Sequence, residues 1–187
     1  MANLTKNVEP TQTTPAHYLK ARGAGTTADP FIPAETALAP LVVIQVSPPL
    51  ETSLYHANDL MFDSVVISNA AFENGGVAIL DSVTLIDTAD VGAAITLIVA
   101  DSMVDFGTSH SAPTVSAADA MKIVATVPIV GGDYVDLGSS KVACKGNLGI
   151  GVKCTGSSQS LALAGVILGV GTYTASALTI KLGFRQG

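Results

Sequence analysis

"ALTIKLGFR", residues 177–185, decides how the rest of the chain is read. Leu178, Ile180, Leu182 and Phe184 alternate with Thr179, Lys181, Gly183 and Arg185. That is the period of a strand with one dry face and one wet face. The same pattern extends backward. "LMFDSVVISN" (60–69), "VAILDSVTLID" (77–87) and "AAITLIVAD" (93–101) are rich in β-branched residues. "NGG" (74–76) and "DTADVG" (87–92) supply turns around them. Further strands fit 122–129, 134–142, 148–155 and 160–170, with "GGD" (131–133) and "KGN" (145–147) as hairpin loops. One short helix is expected in "SAADAMK" (116–122), where Ser116 and Asp119 have the spacing of a capping box. About eight strands in about 130 residues, with no βαβ rhythm, predict an all-β chain: a β-sandwich of jelly-roll type.

The N-terminal quarter reads differently. Seven of nine prolines lie in the first 49 residues, and the charges there balance, Lys6, Lys20 and Arg22 against Glu9, Asp29 and Glu35. "GAGTTADPFIPAE" (23–35) cannot be helical, because Pro30 and Pro33 lack an N–H and push their predecessors toward extended geometry. Yet Phe31, Ile32 and the run "LVVIQV" (41–46) are too apolar for an ordinary disordered tail. The expected organisation is an extended N-terminal arm, 1–55, and a β-sandwich body, 56–187. The arm would bind other subunits through Pro30, Phe31, Ile32 and Pro33, and through Leu41, Val42, Val43, Ile44 and Val46. The second group would add a strand to an exposed sheet edge.

Composition removes several function classes. Hydrophobic residues make up 48% and charged residues 13%, about half the usual charged fraction. The excess apolar surface implies a membrane or a large interface. The longest uncharged run, 155–180, has a purely apolar centre only from Leu161 to Gly171, too short for a spanning helix. The first residues show no apolar leader, so a soluble protein made in a cytoplasm is expected. A net charge of −6, with nine scattered basic residues, argues against direct nucleic-acid binding.

Two strands have an unusual second face. In "LGIGVKCT" (148–155), Gly149 and Gly151 lie opposite the apolar side, and in "SLALAGVILGV" (160–170) both faces are apolar or small. Glycine weakens a strand unless something approaches closely. Tight packing between sheets is one reading. The sharper one is a homo-oligomer contact, a trimer, through Gly149, Gly151, Ala162, Ala164, Val166 and Leu168.

Chemistry finds little material. His17, His56 and His110 are far apart; Ser109, Ser111, Asp101 and Asp105 near His110 allow a hydrolytic triad only on paper, since geometry defines a triad. Asp81, Asp87, Asp90, Asp101 and Asp105 lack the spacing of a calcium loop. Cys144 and Cys154 do not match in register across a hairpin and read as buried thiols. No cofactor, no metal and no enzymatic activity are expected.

The body resembles the auxiliary capsid proteins of tailed bacteriophages known as decoration or cement proteins. The likeness lies in "HANDLMFDSVVISNA" (56–70), "GGVAILDSVTLIDTADVGAAITLIVADS" (75–102), "VPIVGGDYVDL" (127–137) and "GTYTASALTIKLGFRQ" (171–186). The resemblance implies a virion structural protein on the capsid surface, assembled in the host cytoplasm, with the major capsid protein and copies of itself as partners. A tail, neck or fibre-base component shares these features. A carbohydrate-binding sandwich is the other class, disfavoured because Trp is absent and Tyr and Phe number only four and five.

Overall fold

A computed structural model describes residues 21–22, 32–33 and 40–187. The chain divides into two units, Met1–Leu38 and Ala39–Gly187. In the first, β1 (Ala21–Arg22) pairs antiparallel with β2 (Ile32–Pro33), Ala21 opposite Pro33. The second is the β body.

The body begins with β3 (Leu41–Val46), β4 (Leu54–Tyr55), β5 (Leu60–Ile67), β6 (Val77–Asp87) and β7 (Ile95–Ala100). A one-turn helix α1 (Ala117–Ala120) precedes β8 (Ile123–Ile129), β9 (Tyr134–Asp136), β10 (Lys141–Lys145) and β11 (Ile150–Lys153). The chain closes with β12 (Leu161–Ile167), β13 (Gly171–Thr172) and β14 (Leu178–Gln186). One sheet runs β3-β14-β6-β10-β9, with β11 also on β6; the other runs β5-β12-β7-β8. Every pairing is antiparallel. When β10 and β11 count as one interrupted strand and the three-residue β9 at the edge is set aside, this is the eight-strand order of a jelly roll, so the predicted fold class holds.

Two expected features change. First, β3 is not arm: it pairs with β14 over six residues and completes the sheet of its own body. The arm boundary expected at residue 55 therefore moves back to 38/39. The flanking Pro40, Pro48 and Pro49 bound a strand here, as proline does at strand ends. Second, neither "GGD" nor "KGN" is a hairpin. Gly131–Asp133 is a 3-10 turn that carries the chain from β8 in one sheet to β9 in the other. After "KGN" the chain does not reverse: β10 lies along Val83–Asp87 of β6, and β11 continues in the same direction along Val77–Leu80.

The interruption has a physical cause on the facing strand. Along β6 the buried side chains are Ala78 and Leu80, then Val83 and Leu85, so the parity shifts by one. The shift is a β-bulge: Gly183 of β14 faces Ser82 while Phe184 faces Leu80. The Arg185 guanidinium holds the carboxylate of the extra residue, Asp81, at 2.9 Å. A Cβ on Gly183 would collide with the Ser82 hydroxyl, so the glycine in the 177–185 repeat leaves room for the Ser82 side chain at the bulge.

Local signals place the turns. Ser116 Oγ accepts the Asp119 amide at 3.0 Å and donates to the Asp119 carboxylate at 2.8 Å, the expected cap of α1. Hydrogen bonds from Lys122 and Ser116 hold the Asp119 carboxyl below its ordinary range. Asp87, fully buried at the end of β6, accepts the amides of Ala89 and Gly92 at 2.9 and 2.8 Å and folds the turn into β7. Asp87→Ala leaves both part-buried N–H groups without that acceptor and should cost about 1–3 kcal/mol, measured by urea unfolding.

The core lies between the sheets. Leu80, Val83, Leu85, Leu178, Ile180, Leu182 and Phe184 from one sheet meet Phe62, Ile67, Ile95, Leu97, Ile129, Leu161 and Leu163 from the other. Gly165 interrupts β12 because the Phe62 ring fills the space its side chain would need. Gly165→Ala should destabilise the body by about 1–3 kcal/mol in the same assay, the usual result of overpacking.

Candidate functional site

Strand β12 is buried at all seven positions. Its inward residues Leu161, Leu163 and Ile167 join the sandwich core. Its outward residues Ala162, Ala164 and Val166 form a second cluster with Leu60, Ala100, Val104 and Phe106, and Ile98, Val115 and Ile123 pack against it. Val104, Phe106 and Val115 belong to the 101–122 connection, which covers the outer face of the sheet.

A bulge in β5 ties that cover down. Leu163 of β12 faces Val65, but Gly165 faces Phe62, so Asp63 and Ser64 fall at the irregularity. Asp63 accepts the Phe106 amide at 3.1 Å. Ser64 Oγ donates to the Val104 carbonyl at 2.6 Å and accepts the Val104 amide at 3.2 Å. Farther along, the His110 amide donates to the Leu60 carbonyl at 3.1 Å and the Leu60 amide donates to the Ser111 carbonyl at 2.8 Å.

This arrangement overturns part of the expected oligomer contact. Ala162, Ala164 and Val166 are sealed by the chain's own connection and offer nothing to a second copy. The expected trimer loses those contacts. Gly149 and Gly151 are exposed, and among the described residues a Cβ on either would meet nothing within 4 Å, so no close approach by those residues explains them. Gly149 has φ +62°, which accounts for glycine at that position. Leu168 is 43% exposed.

The arm residues fare unevenly. Pro30 and Phe31 lie outside the described residues, and Ile32 and Pro33 form β2. Leu41, Val42, Val43, Ile44 and Val46 are in β3, at the end of its sheet. Val46 is buried, whereas Leu41 and Val43 are 66% and 62% exposed.

The loop histidine is held as a structural group. The His110 ring stacks on Tyr55 with centroids 4.0 Å apart, its Nδ1 lies 3.2 Å from the Leu54 carbonyl, and its Nε2 lies 3.4 Å from Glu51. Ser109 donates instead to the carbonyls of Leu60 and Met61. Asp101 accepts from Ser102 and Asp105 from the Gly107 amide. The triad drawn on paper is not assembled. Among the described residues no three His, Cys, Asp or Glu side chains are grouped to hold a metal ion. Burial, then the Asp87 carboxylate, push the phenols of Tyr134 and Tyr173 well above their ordinary value, so both stay neutral. Cys154 is buried, which raises its thiol as well; Cys144 is exposed beside Thr84, correcting the expectation that both thiols are buried. No helix among the described residues is long and apolar enough to cross a membrane.

A groove of about 520 Å³ is bordered by Val77 and Ile79 of β6, Gly151 and Lys153 of β11, Arg185 of β14 and Val124 of β8 in the facing sheet. With the exposed side chains of β3, it marks the apolar side of the body.

No family model matches the chain, and no curated protein matches it. Loose likeness links it to chains in three virus structures. One is deformed wing virus carrying the GFP gene, at 9% identity over 99% of this chain and 90% of that chain, TM-score 0.32. A second is desmodium yellow mottle tymovirus, at 10% identity over 77% and 83%, TM-score 0.25. The third is infectious bursal disease virus, Gx strain, at 11% identity over 79% and 37%, TM-score 0.27. The jelly-roll assignment above rests on strand order and register alone.

The cover over β12 predicts a specific phenotype. Phe106→Ala, at a side chain 1% exposed, should cost about 3–5 kcal/mol in urea unfolding. It should also open 101–122 to limited proteolysis. An oligomer contact at β12 would instead leave the isolated body's stability unchanged.

Proposed function

We propose that the chain is a non-enzymatic structural protein of a virus particle, in the role of a decoration or cement protein on the outer surface of a tailed-phage head. One observation carries the reading: the chain divides at 38/39 into an N-terminal unit and a jelly-roll body whose outer side presents apolar contact surface. The resemblance of residues 56–187 to decoration proteins supports it. The major capsid protein is the partner.

In this reading the body supplies bulk and residues 1–38 supply grip. A fully extended segment of that length would span about 130 Å; pairing of β1 with β2 shortens the reach, and the chain before it would still extend from the body toward a neighbouring capsid subunit. Each contact need not be tight, because the first tethers the chain and raises the effective concentration for the next. Pro30 and Pro33 limit the freedom lost when Phe31 and Ile32 dock between them. The apolar pair then acts as the anchor.

Deletion of residues 1–38 should leave the body folded, with an unchanged urea midpoint, and abolish its occupancy on purified heads in a reconstitution assay. Unchanged occupancy removes the gripping role of the segment. Absence of the full-length chain from purified particles removes the virion role itself.

A further inference from the structure

Sheet edges are where a strand-built protein must defend itself, because an open edge presents unpaired N–H and C=O groups to any passing strand. The described edges of this body are defended with one exception. β5 is broken by the bulge at Asp63 and Ser64 and carries the Asp63 carboxylate. β8 carries Pro128, β9 is three residues long and ends in Asp136, and β11 carries Lys153. β3 has six residues, no proline and no charge, and its exposed side chains include Leu41 and Val43.

We propose that β3 pairs antiparallel with β3 of a second copy, joining two bodies edge to edge across a two-fold axis at Val43. This inference does not rest on the virion reading. The backbone supplies the first argument. Gln186 N–H donates to the Pro40 carbonyl at 3.1 Å, which makes the even-numbered residues of β3 the ones bonded to β14. The N–H and C=O groups of Leu41, Val43 and Gln45 therefore point to the far edge, where the described residues offer them no partner.

Register supplies the second argument. The outer face of β3 carries odd-numbered residues and the inner face even-numbered ones. Two copies keep their faces continuous only if facing residues have the same parity, so the axis must pass through a residue, not between two. With the axis at Val43, Val43 meets its twin and Leu41 meets Gln45 of the second copy. The three outward-pointing residues then form hydrogen-bonded pairs, and the pairing ends before Pro40 and Pro48. The strand has no charge to repel its copy, unlike any edge carrying Asp136 or Lys153. This occupant is a second β3, not the 1–38 segment of a neighbour and not a foreign strand.

The test uses the full chain in sedimentation equilibrium. The wild type should weigh twice 18.9 kDa. Val43→Lys places two ammonium groups opposite each other across the axis and should give 18.9 kDa, with the urea midpoint of wild type diluted to monomer, since Val43 is exposed. Val135→Lys, at an exposed position on the far edge, should keep the wild-type mass. Val43→Cys in a Cys144→Ser background should oxidise to a dimer linked from residue 43 to residue 43, because hydrogen-bonded pairs set Cα atoms about 5.5 Å apart, within disulfide reach. A monomeric or trimeric wild type overturns the proposal. So does a Val43→Lys variant of unchanged mass, or a double variant that forms no link at residue 43, the result expected if 1–38 occupied the edge.

Discussion

Strand β12 is dry on both sides, and the architecture follows from that. A strand with one wet face reads its register from alternation; β12 cannot. It uses size instead. Leu161, Leu163 and Ile167 face the wide interior, while Ala162 and Ala164 face the thin space under the 101–122 connection. Gly165 then yields its volume to the Phe62 ring. The connection has to stay in place, since without it a row of apolar side chains would meet water. Its anchoring by Asp63 and Ser64 is thus as much a part of the sandwich as the inter-sheet core.

The two bulges serve different ends. In β5 the irregularity turns two polar residues toward a backbone that has no strand to pair with. In β6 the extra residue shifts which side chains face inward, and the neighbouring edge breaks at the same level. Gly146 to Gly149 bridge the gap between β10 and β11, with Asn147 and Gly149 in left-handed conformation. Only Leu148 reaches across to β6 there, its amide on the Asp81 carbonyl at 3.0 Å. The jelly roll accommodates both defects because each lies where the sheet must bend.

Much of the fold was legible in the residues. The alternation of 177–185 and the β-branched run 77–87 gave strands, and Ser116 with Asp119 gave the cap of α1. The misreadings share a cause. "KGN" and "GGD" end strands, but turn residues do not say whether the chain reverses, resumes or changes sheets. Proline around "LVVIQV" suggested an arm, although proline outside a strand only marks its limits. The second apolar face of β12 was visible, but its cover was not. Val104, Phe106 and Val115 lie some fifty residues earlier in a stretch with no periodicity, so local pattern cannot assign them. Of the candidate contact residues, Leu41 and Val43 proved exposed at an edge, for a reason that depends on β14, far away in sequence.

The placement of β14 bears on how the chain reaches its native state. Its two neighbours are β3 and β6, so residues 178–186 sit between strands that begin at 41 and 77. The earliest strand of the body thus has no described strand partner until residues 178–186 have been synthesised. Pairing of such high sequence separation carries a large loop-closure entropy and is slow. On the ribosome, β3 and one edge of β6 must wait with their hydrogen-bonding groups open until β14 emerges.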